Sequence, residues 1–374
     1  MTPQVLAIAQ VTFPPEEKGL AFSLFGLSSG LAAVTGPIAG GLLIGADLWG
    51  LDWRPIFLVN IPVGIVAVVA GWFLIPRTPG HPDLRNDYTG IVLFGLATVL
   101  MVFPLIEGRA YGWPAWAWAM MAGSLVIAAL FVWWERRRAA ADQPQLLNFS
   151  LIANGNYLLG LLITTIFASG IPAMFMVISL LLQSGYGFTP LESGLTNTPF
   201  SVGVLAVSLV AGRFGQRYLR TRLGVGAALL VIGIGWLHLI VSGLGDTLDH
   251  WTFLPPLFVA GIGLGLGFSG LFQSVLAGVP PRDAGAGSGA LQAFQQVGGA
   301  VGVALVGEIF FTHLAGSFAS GSGPHQAFAS SASLAMIYQI VSFALVALLV
   351  PFLKIGQQGQ GGARPAAAPI PAEA

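Results

Sequence analysis

Ten apolar stretches, separated by short turns rich in glycine, proline or arginine, leave this chain few ways to fold. They run from Leu20 to Ile44, Pro55 to Ile75, Gly90 to Ile106, Pro114 to Trp134, Tyr157 to Gln183, Gly194 to Ala211, Leu223 to Val241, Phe253 to Gly278, Gly289 to His313 and Leu334 to Leu353. At ~1.5 Å rise per residue, about 20 residues cross the hydrocarbon of a bilayer as a helix. An eleventh stretch, Pro3 to Phe13, is too short to span. Water is excluded as the surrounding solvent by composition: 55% of the 374 residues are hydrophobic and 8% are charged, against about 25% charged in a soluble domain. In lipid every backbone polar group has to pair within the chain, so the expected fold class is all-α. The expectation is a polytopic membrane helix bundle of about ten full transmembrane helices plus one partial.

The cations fix an orientation. Counted over alternate turns, thirteen of the fifteen Lys and Arg fall on one side: Lys18, Arg77, Arg85, Arg136, Arg137, Arg138, Arg213, Arg217, Arg220, Arg222, Arg282, Lys354 and Arg364. Arg54 and Arg109 fall on the other. The positive-inside rule makes the richer side, and with it the C-terminus, cytoplasmic, in the inner or plasma membrane of a cell. The Arg136 to Arg138 run, following Trp133 and Trp134, reads as an interfacial anchor. Zero cysteine excludes disulfides and thiolate metal sites. No basic run sits beside unstacked aromatics as single-strand binding would want, and the Arg136 to Arg138 run with its tryptophans closes an apolar span, so no nucleic-acid partner is expected. His81, His250, His313 and His325 fall in or beside turns and His238 stands alone in an apolar run. None has a second ligand at metal spacing, so neither a metal nor a cofactor is expected.

From Pro14 to Gly41 a polar turn runs into a helix in which Gly26, Gly30, Gly36, Gly40 and Gly41 recur, with Pro37 inside. Small residues let membrane helices approach closely, and a Gly-Pro step permits a bend. The pattern returns: Pro14, Pro15 and Gly19 are spaced as Pro280, Pro281 and Gly285, and the same offset carries Gly36 onto Gly302 and Gly41 onto Gly307. Related halves about a central site are a common transporter plan. Met1 to Phe13 lacks the positive start of a signal peptide and reads as the last half of a helix begun upstream, so the chain is expected to be a fragment.

These residues also carry a resemblance. Gly36-Pro37-Ile38-Ala39-Gly40-Gly41 resembles the antiporter motif of the major facilitator superfamily, found on the fifth helix of its drug:proton exporters. Trp53 to Gly64 resembles the opening of the sixth helix in the fourteen-helix drug:proton antiporter group, and Asp87-Tyr88-Thr89-Gly90 with Glu107-Gly108 and Gly112-Trp113 resembles the flanks of its seventh. Leu182-Gln183 through Pro199 is similar to the ninth-to-tenth connection, and Gly285 to Gly299 to the thirteenth helix. Gly212, Arg213 and Arg217 resemble the second copy of the superfamily's cytoplasmic loop motif, with Gln216 where an acid is usual.

The resemblance implies the end of an N-terminal half-bundle over residues 1–80, two linker helices over 81–142 and a six-helix C-terminal half-bundle over 143–355; the 356–374 tail, rich in Gly, Gln, Pro and Ala, is expected to be disordered. It implies proton-coupled efflux of lipophilic or cationic small molecules by alternating access. In a full-length relative a periplasmic adaptor is an implied partner. Helices one to three of the family, with their loop motif and first-helix acid, are missing from the sequence, so this chain is expected to be an incomplete copy. A facilitator of another small solute and a non-transporting membrane scaffold are the alternatives.

Glu308 is the one acid inside an expected span and the candidate coupling acid, although counting from Gly289 places it at the outer boundary. Phe268, Phe272 and Gln273 on one helix, with Gln292 and Gln296 on the next, offer an aromatic and amide surface suited to lipophilic or cationic guests. The same residues could serve as interhelical hydrogen-bonding groups. Asn60 and Asn197 are weaker candidates of the same kind. Gly267-Phe268-Ser269-Gly270 has the shape of an intramembrane serine protease motif, but the Leu334 to Leu353 run has no histidine to activate the serine. No enzymatic activity is expected.

Overall fold

The computed structural model describes residues 13, 24, 28, 31–32, 35–36, 38–74, 87–141, 143, 145–147, 151, 153–211, 218–276, 279–280 and 283–354. Regular structure among them is helical, without strands. Residues 38–45 are helical and lead through a turn into α1 (Pro55–Leu74). There follow α2 (Tyr88–Glu107), α3 (Ala115–Ala140), α4 (Gly155–Ser179), α5 (Pro190–Ala211), α6 (Leu219–Ser242), α7 (Leu254–Leu276), α8 (Ala284–Ala319) and α9 (Pro324–Leu349). Eight of the described helices are long and apolar enough to cross a membrane. The chain is a multi-pass membrane protein.

Two helices start earlier than expected. The helix expected from Gly194 forms as α5 and begins four residues earlier, at Pro190. α9 begins ten residues before the expected Leu334, across a segment of alanine and serine. There the Ser330 and Ser331 hydroxyls donate to the Ala327 carbonyl, so the polar side chains are satisfied within the helix. The run from Leu20 lies partly outside the described residues, and the Gly212 to Arg217 motif and the 356–374 tail lie wholly outside them.

Starts and stops follow ordinary capping chemistry. Asp87 opens α2 by accepting the Gly90 N–H at 3.0 Å, and Asn154 opens α4 by accepting from Asn156 and Tyr157. α4 widens into a π-helical turn at Leu180–Gly185. Beyond that turn Gly187 adopts φ +72°, a left-handed conformation that suits glycine.

The helices α4 to α9 form one unit. α6 packs along α7 and α9, α7 along α5, α8 along α4, and α9 also against α4 and α8. α2 and α3 pair as a hairpin that docks through α2 onto α8. Phe167 and Phe343 meet edge to face at 5.5 Å within the core, beside fully buried Phe310 and Met174. Lipid is as apolar as leucine, so close backbone approach drives helix association here. A Cβ at Gly302 would fall into the Ser169 carbonyl, and one at Gly298 into that of Thr165, which fixes α8 on α4. Gly203 meets the Phe258 carbonyl and Gly226 the backbone of Gly267 in the same way. No residue of Asn60–Leu74 is buried.

The turns sort into two ends. At the basic end Arg220 donates to the Pro351 carbonyl, and Asn156 and Lys354 exchange two hydrogen bonds of 2.6 and 2.7 Å. At the opposite end the Tyr186 hydroxyl donates to Gly245 at 2.8 Å, and its ring stacks on His325 at 4.8 Å. Burial, with the Asp246 carboxylate second, pushes the Tyr186 phenol above its ordinary value, which keeps it a donor.

Candidate functional site

The most connected polar group at the end opposite the arginines is Glu308, on α8. Arg109 Nη1 lies 2.5 Å from Glu308 Oε2, the Trp113 indole N–H donates to the same oxygen at 3.1 Å, and the Thr312 hydroxyl donates to Oε1 at 3.0 Å. The Arg109 guanidinium also lies 4.8 Å above the Phe311 ring. Both partners in the ion pair remain accessible, with side-chain exposures of 36% and 44%.

The α2–α3 turn is built to deliver those donors. Gly112 and Trp113 take φ of +68° and +56°, and a non-glycine residue holds that left-handed conformation at some cost in strain. The Trp113 N–H closes the turn on the Gly108 carbonyl at 2.7 Å. A Cβ at Gly108 would lie 2.9 Å from the Trp113 ring, so glycine is what lets the indole fold back over the helix end. Counted from Ala284, Glu308 is 24 residues into α8, about 36 Å along at ~1.5 Å each.

The cavity candidates are more scattered. Phe268 and Phe272 are half-buried neighbours on α7 with centroids 4.6 Å apart. Gln273 donates back to the Ser269 carbonyl at 3.1 Å. On α8 Gln292 is half-buried and Gln296 exposed. Among the described residues no side-chain hydrogen bond joins these candidates to one another. Asn197 is buried in α5, its amide donating to Ser193 at 2.9 Å while Oδ1 has no hydrogen-bond partner among the described residues. Asn60 lies on exposed α1 and bonds back to Ile56. A separate open hollow of about 750 Å3 between α5 and α7 is lined by Leu195, Pro199, Val202, Trp251 and Phe258.

A Cβ at Gly36 or Gly40 would meet nothing within 4 Å, whereas one at Gly41 would lie 2.7 Å from the Leu191 Cα. Gly41 thus brings the first glycine-striped segment against the start of α5. Pro37, and Gly212, Arg213 and Arg217 of the loop motif, lie outside the described residues. Ser269 of the Gly-Phe-Ser-Gly sequence accepts from Arg222 at 2.7 Å and donates to Leu266, an arrangement that ties α6 to α7. His238 meets Ser333 at 3.1 Å. No group of three metal-ligating side chains converges among the described residues.

Two roles were beyond sequence reasoning. Arg109 stands 199 residues from Glu308, and spacing along separate helices gives depth but not facing direction. Arg138, read as an anchor, places Nε 3.5 Å from Asp87 Oδ2, with the Trp134 indole donating to the same carboxylate at 3.1 Å.

The chain is similar to known proteins over most of its length. The family model described as Major Facilitator Superfamily matches residues 1–87 and 81–303. The "Probable actinorhodin transporter" of Streptomyces coelicolor is 37% identical over 323 residues, covering 86% of this chain and 56% of that protein. The "Multidrug resistance protein Stp" of Mycobacterium tuberculosis is 30% identical, covering 81% and 55%. The "Tetracenomycin C resistance and export protein" of Streptomyces glaucescens is 28% identical, covering 85% and 57%. The chain therefore spans about half the length of the curated relatives it matches. With a helical membrane bundle carrying a family match that runs through residue 303, the chain belongs to the major facilitator superfamily.

Proposed function

We propose that this chain forms the second half-bundle, the linker hairpin and the end of the first half-bundle of a proton-coupled exporter of lipophilic or cationic small molecules. The observation that carries the reading is similarity across 86% of the chain to a protein named "Probable actinorhodin transporter". In this reading the exporter works by alternating access, and substrate and protons move the equilibrium only through unequal affinity for its two states. Phe268, Phe272, Gln273, Gln292, Gln296, Asn60 and Asn197 are the proposed cavity-lining set. Gly36, Pro37, Gly40 and Gly41 form the proposed antiporter motif, with the Gly41 to Leu191 contact as its meeting point with α5. Gly212, Arg213 and Arg217 form the proposed cytoplasmic loop motif.

Glu308 is the proposed coupling acid. Its protonation would release Arg109, and with it the hold of the linker turn on α8. The basic end, with the C-terminus, is assigned to the cytoplasm of the inner or plasma membrane.

The test is uptake of a lipophilic cation such as ethidium into inverted vesicles carrying the full-length protein, under an imposed proton gradient, acid inside. Gradient-dependent movement that Glu308→Gln uncouples is the expected result. Gradient-independent movement overturns proton coupling, and gradient-dependent movement unchanged in Glu308→Gln removes Glu308 from it.

A further inference from the structure

The base of the α2–α3 hairpin, at the basic end, holds a pair of acids that the export reading does not use. Glu135, near the end of α3, has no exposed surface, and Asp87, which caps α2, is 4% exposed. Both converge on Gly90: a Cβ there would lie 2.6 Å from Asp87 Oδ2 and 2.9 Å from Glu135 Oε1. Two buried carboxylates brought to one point cannot both ionise cheaply, and because ionised carboxylates only accept, a hydrogen bond between them requires a proton on one.

The surroundings decide which acid carries it. Asp87 is supplied with donors: the Gly90 N–H at 3.0 Å on Oδ1, the Trp134 indole at 3.1 Å from both oxygens, and Arg138 Nε 3.5 Å from Oδ2. That set holds a carboxylate. Glu135 Oε1 accepts the Leu146 N–H at 3.3 Å, while Oε2 is buried with no hydrogen-bond partner among the described residues. Among the described residues the charges facing Glu135 are Asp87 from α2 and Arg138 from its own helix, one of each sign; the segment before α4 contributes the Leu146 amide. A buried anion with an orphaned oxygen is expensive, and a neutral acid is not.

We propose that Glu135 holds a proton which it donates to Asp87, so that the base of the linker hairpin is a proton-binding site. The site is distinct from Glu308, at the other end of the hairpin, and does not depend on what the protein exports. Its occupancy bears on the connection to the second half-bundle. Glu135 anchors the Leu146 amide, and Leu147 and Leu151, which follow, are buried in that bundle's core. Removing the proton sets two anions against one guanidinium and pushes the start of α2 away from the end of α3.

Infrared spectroscopy of the purified chain in nanodiscs reads the proton directly, because the carbonyl stretch of a protonated carboxylic acid is separate from carboxylate bands. The expected result is a protonated-acid band at neutral pH that Glu135→Gln removes and Glu308→Gln leaves in place. Glutamine is the neutral isostere of the resident state, so Glu135→Gln is expected to fold and to lose the wild-type fall in thermal stability as pH is raised. That fall has this sign because the folded state binds the extra proton. Absence of the band at neutral pH, its survival in Glu135→Gln, or failure of that variant to fold overturns the proposal.

Discussion

Glu308 takes donors from three side chains, two of which come from a turn that glycine makes possible. Each half was visible separately in the sequence: the acid as the one charge in an apolar run, and Gly108, Gly112 and Trp113 as the flank of a helix. Their meeting was not, because it depends on how α2 rotates against α8. Both ionic partners are more than a third exposed, so their coupling is expected to be modest, about 1 kcal/mol at most. A double-mutant cycle of Arg109→Met and Glu308→Gln, read by thermal unfolding in detergent, measures it; strict additivity would show that the pair contributes nothing. Gly108→Ala is expected to destabilise more, by ~1–3 kcal/mol, since the new methyl group meets both the Pro104 carbonyl oxygen and the Trp113 ring. A change in tryptophan fluorescence should accompany the loss.

Among the elements, glycine spacing was legible and glycine contacts were not. The internal repeat pairs Gly36 with Gly302 and Gly41 with Gly307, yet the members of each pair have unlike surroundings. Gly302 is pressed against the Ser169 carbonyl while Gly36 has open space; Gly41 meets the Leu191 backbone while the nearest atom to a Cβ at Gly307 is 3.8 Å away on Met176. Sequence repeats record helix depth, whereas contacts depend on which neighbour each helix has acquired. Along α8 this sets up a comparison within one helix. Gly302→Ala is expected to loosen α8 from α4 and cost ~1–3 kcal/mol, whereas Gly289→Ala, with nothing within 4 Å, should be neutral or slightly stabilising through helix propensity. Equal thermal shifts in the two variants would refute the close-approach account of this interface. The early start of α9 was hidden for a related reason, since its Ser330 and Ser331 read as polar until their hydroxyls are seen bonding within the helix.

For the whole molecule, hydropathy alone located eight of the ten expected spans among the described residues, because in lipid a helix satisfies the backbone within one segment. The arginine count then ordered them, and the turns do sort into a basic end and an opposite end. The central claim is that this sorting is also an orientation in the membrane, with the basic end inside. The chain contains no cysteine, so single reporters can be introduced at exposed Ala141, beside the Arg136 to Arg138 run, and at exposed Ser320, in the turn between α8 and α9. Labelling intact cells with a membrane-impermeant maleimide is expected to modify Ser320→Cys at once and Ala141→Cys only after permeabilisation. Immediate modification of Ala141→Cys, with Ser320→Cys protected, would contradict the account.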